Sequence, residues 1–149
     1  MPITDLPEAA RIAAAQSGLL AWYAAHRRDL PWRQTRDPYH ILVSEMMLQQ
    51  TQVPRVLPRY HAWLAQFPTL AALAAAPTAD VLRAWSGLGY NSRAVRLQQV
   101  ARLAVAQYNG RLPAAVDELR ALPGIGDYTA RAIACFAYEQ DVPVLDTNV

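Results

Sequence analysis

The sequence predicts an all-α protein. Apolar residues recur at helical spacing along nearly the whole chain, no run shows sustained strand alternation, and proline and glycine cut the pattern into pieces of helix length. With 149 residues, 53% of them hydrophobic and 17% charged, the chain can bury a core without disulfide staples and is too apolar to be disordered.

The first helix is expected from about Glu8 to Arg28, stopped by the turn at Pro31 and Trp32. The second begins near Pro38, a good first-turn residue after Asp37, and ends before Pro54. A third covers about Val56 to Phe67 with Pro58 in its first turn, and two short ones follow in TLAALAAAP and TADVLRAWSG. The turn Gly87-Leu88-Gly89 then leads into a long amphipathic helix from about Ser92 to Tyr108, closed by Asn109 and Gly110 as a left-handed cap. A short helix in AAVDELRAL meets LPGIGDYTARAI, where Pro123, Gly124 and Gly126 force a tight turn before a last helix to about Tyr138.

Composition narrows the function classes. The N-terminus has early acids and no basic region ahead of an apolar one, and no stretch is apolar for long enough to span a bilayer, so the expectation is a soluble cytoplasmic protein with no membrane partner. Cys135 is alone, so it can form neither an internal disulfide nor a cysteine-rich metal site and reads as a buried small hydrophobe. The net charge of +2 neither demands nor excludes a polyanion. All fourteen basic residues are arginine; without lysine, no side-chain amine can form a Schiff base.

Four places carry chemistry. In HILVSEMMLQQTQV, Glu45 shares a helix face with Ile41, Leu42, Leu48 and Gln49. An unpaired carboxylate there costs on the order of several kcal/mol, and its pKa should rise; the alternative is an acid that reaches solvent or an arginine. LPGIGDYTA would let a helix start offer backbone amides to an anion such as a DNA phosphate, or its leucine and isoleucine would simply pack a helical hairpin. WSGLGYNSRA puts Tyr90 at the tip of a glycine turn, either to wedge into a base stack with Arg93 on a nearby phosphate, or to lie half-buried on the next helix. In VLDTNV, Asp146 follows an apolar run, and Asp146, Thr147 or Asn148 could equally cap a further helix. Apolar termini of this kind usually continue into an element that buries them, so the chain is expected to be a fragment of a longer polypeptide.

In this order and at these separations, SEMMLQQTQV, GLGY, LPGIGDYTA and VLDTNV resemble the helix-hairpin-helix (HhH-GPD) DNA glycosylases and, within them, the adenine-specific mismatch (MutY) branch, over about residues 22–149. The resemblance implies a six-helix barrel over about 31–136 with its hairpin at about 114–136, an N-terminal helix (1–30) belonging to a second lobe, and a loop (137–149) carrying a catalytic aspartate. It implies base excision repair near the nucleoid: a duplex partner with adenine mispaired with oxidised guanine or guanine, the base flipped out, and its glycosidic bond hydrolysed without strand cleavage.

Residue by residue, the resemblance makes Glu45 the acid that protonates the departing adenine and Asp146 the ionised carboxylate that stabilises or attacks the sugar. Tyr128 stands where lyase members carry a lysine and would line the base pocket with Trp32 and Arg33; Gln50 and Thr51 would enter the duplex beside Tyr90. Gly124, Ile125 and Gly126 would offer amides to a phosphate, with a monovalent cation as a further option. Asn91 departs from the second tyrosine of the branch's glycine turn. The family's iron–sulfur loop and lesion-reading C-terminal domain lie beyond this sequence, and one cysteine cannot ligate such a cluster, so no cofactor is expected in this chain and weak or no activity from it alone, with the missing lobe as a potential partner. The rival readings are a non-catalytic DNA-binding module, a glycosylase for another mispaired base, and a helical scaffold that binds no nucleic acid.

Overall fold

A computed structural model of the chain describes residues 7–146, and among these every regular element is a helix. The order is α1 (Glu8–His26), a 3-10 turn (Pro31–Arg33), α2 (Pro38–Leu48), α3 (Val53–Gln66), α4 (Leu70–Ala75), α5 (Thr78–Trp85), α6 (Ser92–Gln107), α7 (Val116–Arg120) and α8 (Asp127–Phe136). The chain divides into two compact units, the first ending at Pro31 and the second starting at Trp32.

The first unit is essentially α1, in which no residue is buried; Trp22 stacks on His26 with ring centroids 5.0 Å apart. No described helix is long and apolar enough to cross a membrane.

The second unit is organised around α2. Asp37 caps that helix by accepting from the amide of Tyr39 at 2.8 Å, and Pro38 occupies the first turn, where its missing N–H is no loss. Tyr39, Ile41, Leu42, Val43, Ser44, Met46 and Met47 are all buried, so α2, apolar nearly all round apart from the side of Glu45, takes the centre. It packs on α3, α6 and α8; α4 and α5 pack on α6, and α7 on α8. Tryptophan fills the space between α3 and α5, with Trp63 edge-on to Trp85 at 5.5 Å and to Phe67 at 5.0 Å. Buried Gln98 ties α6 to the α4–α5 link, its amide donating to the Ala76 carbonyl at 2.7 Å and its oxygen accepting from the Thr78 hydroxyl at 2.8 Å.

Helix α2 stops at Leu48, before Pro54 as expected, because the next residues form the turn that opens α3. Two details differ from the sequence expectation. Helix α3 begins at Val53, where Pro54 takes the first-turn place, so Pro58 falls inside the helix. Cys135 is half-buried rather than buried. Asn109 and Gly110 do close α6 in left-handed conformation, with φ of 54° and 75° and the Gly110 amide returning to the Ala104 carbonyl at 2.9 Å.

One buried relay joins α2 to the end of α3: the Tyr39 hydroxyl donates to the Phe67 carbonyl at 2.8 Å and accepts from the Trp63 indole N–H at 3.1 Å. Tyr39→Phe leaves both groups unpaired in a dry core. The expected loss is about 1–3 kcal/mol, seen as a fall in Tm of roughly 3–10 °C by calorimetry; an unchanged Tm would show that the relay contributes nothing.

Candidate active site

Glu45 sits in the middle of α2, on the side that faces α8. Burial pushes its carboxyl up to about 7, against an opposing pull from the Tyr128 hydroxyl, which donates a hydrogen bond to it, and with a further push from the negative charge of Asp146. Tyr128 lies in the first turn of α8, and burial, then the charges of Glu45 and Asp146, push its phenol up to about 12. The phenol therefore stays a proton donor at any physiological pH. Two acids almost exactly a hundred residues apart are thus brought to one place with a tyrosine, Glu45 and Tyr128 in direct contact and Asp146, exposed, within electrostatic reach of both.

Each position has a local cause. The α2 cap sets the phase of Glu45, and α8, whose Ala130, Ala132 and Ala134 are fully buried, packs on both α2 and α7. Gly126 opens α8, so Tyr128 falls in its first turn. After α8 the chain is tied down before it runs on to Asp146: the Tyr138 hydroxyl donates to the Leu112 carbonyl, the Gln140 amide to the Ala114 carbonyl at 2.7 Å, and Glu139 pairs with Arg36. Thr147 and Asn148 lie outside the described residues.

The hairpin is packed as well as open. Gly124 has φ +78°, and a Cβ there would come within 2.9 Å of the Arg96 side chain, so no other residue suits the position. Ile125 is buried beneath it, and its amide closes the turn on the Leu122 carbonyl at 3.2 Å. Of the three residues expected to offer amides outward, Ile125 is therefore corrected: its N–H is spent inside the turn. Gly126 precedes the free first-turn amides of α8, where Asp127 pairs with Arg131 at 2.9 Å.

The remaining expected residues separate. Tyr90 is 67% exposed at the tip of its turn, which removes the half-buried alternative, and Gln50 is exposed at the end of α2. Thr51 beside it is half-buried. Trp32 is buried edge-on against Tyr60 at 5.3 Å, with Arg33 exposed next to it. Arg93 is corrected outright. Expected at the surface on a phosphate, it is 6% exposed, and its guanidinium is surrounded by main-chain carbonyls. Sequence reasoning also missed the Tyr128–Glu45 bond and the packing of Arg96 on Gly124; a one-dimensional pattern holds no signal for either. An iron–sulfur cluster of the kind the resemblance brings in takes several thiolates, which a chain with one cysteine does not offer.

Residues 43–149 match the family described as HhH-GPD superfamily base excision DNA repair protein. The adenine DNA glycosylase of Mycolicibacterium smegmatis is 56% identical over 132 residues, which are 88% of this chain and 45% of that protein. The Mycobacterium tuberculosis protein of the same name is 53% identical over 91% of this chain and 45% of its own, and the Homo sapiens one 44% identical over 95% and 28%. The chain thus spans less than half the length of these curated relatives. Among solved structures, a thermostable thymine-DNA glycosylase superposes with a TM-score of 0.84 at 32% identity, over 89% of this chain and 61% of that one. An endonuclease III–DNA covalent intermediate gives 0.80 over 95% and 66%, a likeness of fold alone at 21% identity.

The raised carboxyl of Glu45 has a consequence for stability. The folded chain holds a proton that the unfolded chain releases near 4.5, so this contribution is complete below 4.5 and is lost as pH rises through about 7. Glu45→Gln should therefore be more stable than the parent at alkaline pH, by on the order of 2 kcal/mol relative to acid pH. Urea midpoints at about pH 5 and pH 8 measure the difference, and parallel profiles for the two chains would contradict it.

Proposed function

The chain belongs to the HhH-GPD superfamily of base excision DNA repair proteins, and from that premise we propose that it is the catalytic portion of a monofunctional adenine DNA glycosylase, acting on adenine mispaired in duplex DNA with oxidised guanine or guanine. The observation that carries this reading is Glu45: a half-buried carboxyl pushed up to about 7, hydrogen-bonded by Tyr128 and facing the charge of Asp146. One acid that keeps its proton near neutrality beside one that carries charge is the arrangement that cleavage of a glycosidic bond requires.

The base must leave the stack before either acid can reach it. Protonated Glu45 gives its proton to the departing adenine, whose bond to the sugar breaks with the electron pair leaving on the base. Asp146 faces the positive charge that develops on the sugar, either holding it until water adds or bonding to it transiently. Tyr128 keeps the Glu45 carboxyl oriented through its hydrogen bond. Because the chain has no lysine, none of its side chains can capture the sugar as a Schiff base, the N-terminal amine apart, which favours hydrolysis without strand cleavage. The adenine DNA glycosylases at 44–56% identity favour adenine as the base; the 32% identical thymine-DNA glycosylase makes a thymine mispair the necessary comparison.

The test is single-turnover excision by this chain from duplexes carrying adenine opposite oxidised guanine, adenine opposite guanine, or thymine opposite guanine. Any release should be of adenine and not of thymine, and it should be weak, as the resemblance implies for this chain without the second lobe. Glu45→Gln should lower the rate by about 10²–10⁴-fold while leaving duplex affinity within about threefold. The rate should be flat below pH 7 and fall about tenfold per unit above it, because the proton donor is lost as Glu45 ionises. Full activity of Glu45→Gln, or a rate that climbs with pH, would remove Glu45 from the acid's role.

A further inference from the structure

Gln50 and Tyr90, the exposed side chains that the family resemblance directs at the duplex, occupy turns far apart in sequence, and both have left-handed backbones, with φ of 55° and 47°. For residues other than glycine this costs on the order of 1–2 kcal/mol each and persists only where the surroundings over-determine it. Both turns meet at Arg93. Its Nη1 donates to the carbonyls of Met46 at 2.8 Å, Met47 at 3.2 Å and Gln49, the last open carbonyls of α2 and its exit. Its Nη2 donates to the carbonyls of Leu88 and Gly89, both at 3.0 Å, and to the Thr51 hydroxyl at 3.3 Å. The guanidinium carbon lies 5.1 Å from the centre of the Trp85 ring and 5.8 Å from that of Tyr90.

Nη1 thus serves the turn that carries Gln50, while Nη2 serves the turn that carries Tyr90 and reaches back to Thr51. A helix C-terminus alone would be satisfied by Nη1, and a glycine turn alone by Nη2; only a planar fork reaches both at once. Carbonyl dipoles surround the buried charge, which is how an ion is held in a dry site without a carboxylate.

We propose that Arg93 is a positioning residue that locks the 49–51 turn and the 87–90 turn into one rigid unit, so that Gln50 and Tyr90 enter the duplex as a fixed pair when a base is extruded. This rests on the glycosylase reading for its use, and on the geometry alone for the lock. Lysine, a point charge with its donors on one nitrogen, can serve either turn but not both.

Two measurements test it. Without DNA, amide hydrogen exchange in the unmodified chain should show residues 49–51 and 88–91 opening together, with rates within about tenfold of each other; independent opening overturns the lock, and this measurement needs no variant to fold. With DNA, Arg93→Lys should keep its helical circular dichroism and bind a duplex containing 2-aminopurine opposite oxidised guanine within about threefold of the parent, yet lose about fivefold or more of the emission rise that unstacking produces in the saturated complex. A role in stability alone would lower Tm and leave that emission unchanged, and emission equal to the parent's overturns the proposal. If the parent chain binds the duplex with no emission rise, base extrusion itself fails and the positioning role with it, whereas the exchange experiment still decides the lock.

Discussion

Much of this molecule is arranged around a carboxyl group taken out of water in the middle of a helix. Glu45 lies half-buried on α2, which packs on α3, α6 and α8, and a charge there has little solvent to stabilise it. Two responses are open to such a group: keep the proton, or find a donor. Glu45 does both, holding its proton up to about pH 7 and accepting from Tyr128. The donor has to arrive from another element, which makes the approach of α8 to α2 a condition of the site. The glycine hairpin determines where α8 starts and hence that Tyr128 falls in its first turn.

The C-terminal end of the same helix meets another ionisable group taken out of water, Arg93 of α6, and the two are handled differently. Arg93 does not pair with an acid among the described residues; it is held by the carbonyls that α2 and the glycine turn leave unsatisfied. An arginine stays charged in nearly any surroundings, so the protein supplies dipoles to it. A glutamate can discard its charge, so the protein supplies burial and one hydroxyl. An acid whose proton is exchangeable near neutrality suits chemistry, whereas a cation that never titrates suits architecture. Both outcomes follow from the same rule about charge in a low-dielectric interior.

Helix content and most boundaries were legible in the sequence, because helical periodicity, Asp37-Pro38 and Asn109-Gly110 are local signals with local causes. The misplaced edges have the same explanation: around Pro54 and Pro58 two prolines compete for one first-turn position, and the pattern alone does not rank them. Arg93 was misread for a deeper reason. Beside a tyrosine at a glycine turn, an arginine has the look of a surface contact, and only the return of the α2 C-terminus to that spot converts it into an interior one.

What the sequence by itself determined was chemical inventory: the presence of an acid in an apolar helical run, a second acid after an apolar stretch, a phenol in the glycine hairpin, and the complete lack of lysine. Those are properties of residue type and near neighbours, and they leave no side-chain amine in this chain for a Schiff base. Only the tertiary structure decided which of these groups touch. The upward shift of Glu45 comes from burial by helices distant in the chain and from a charge a hundred and one positions on, against the pull of a hydrogen bond across eighty-three positions. A pKa is set by the dielectric and the charges around a group, and those belong to the packed molecule.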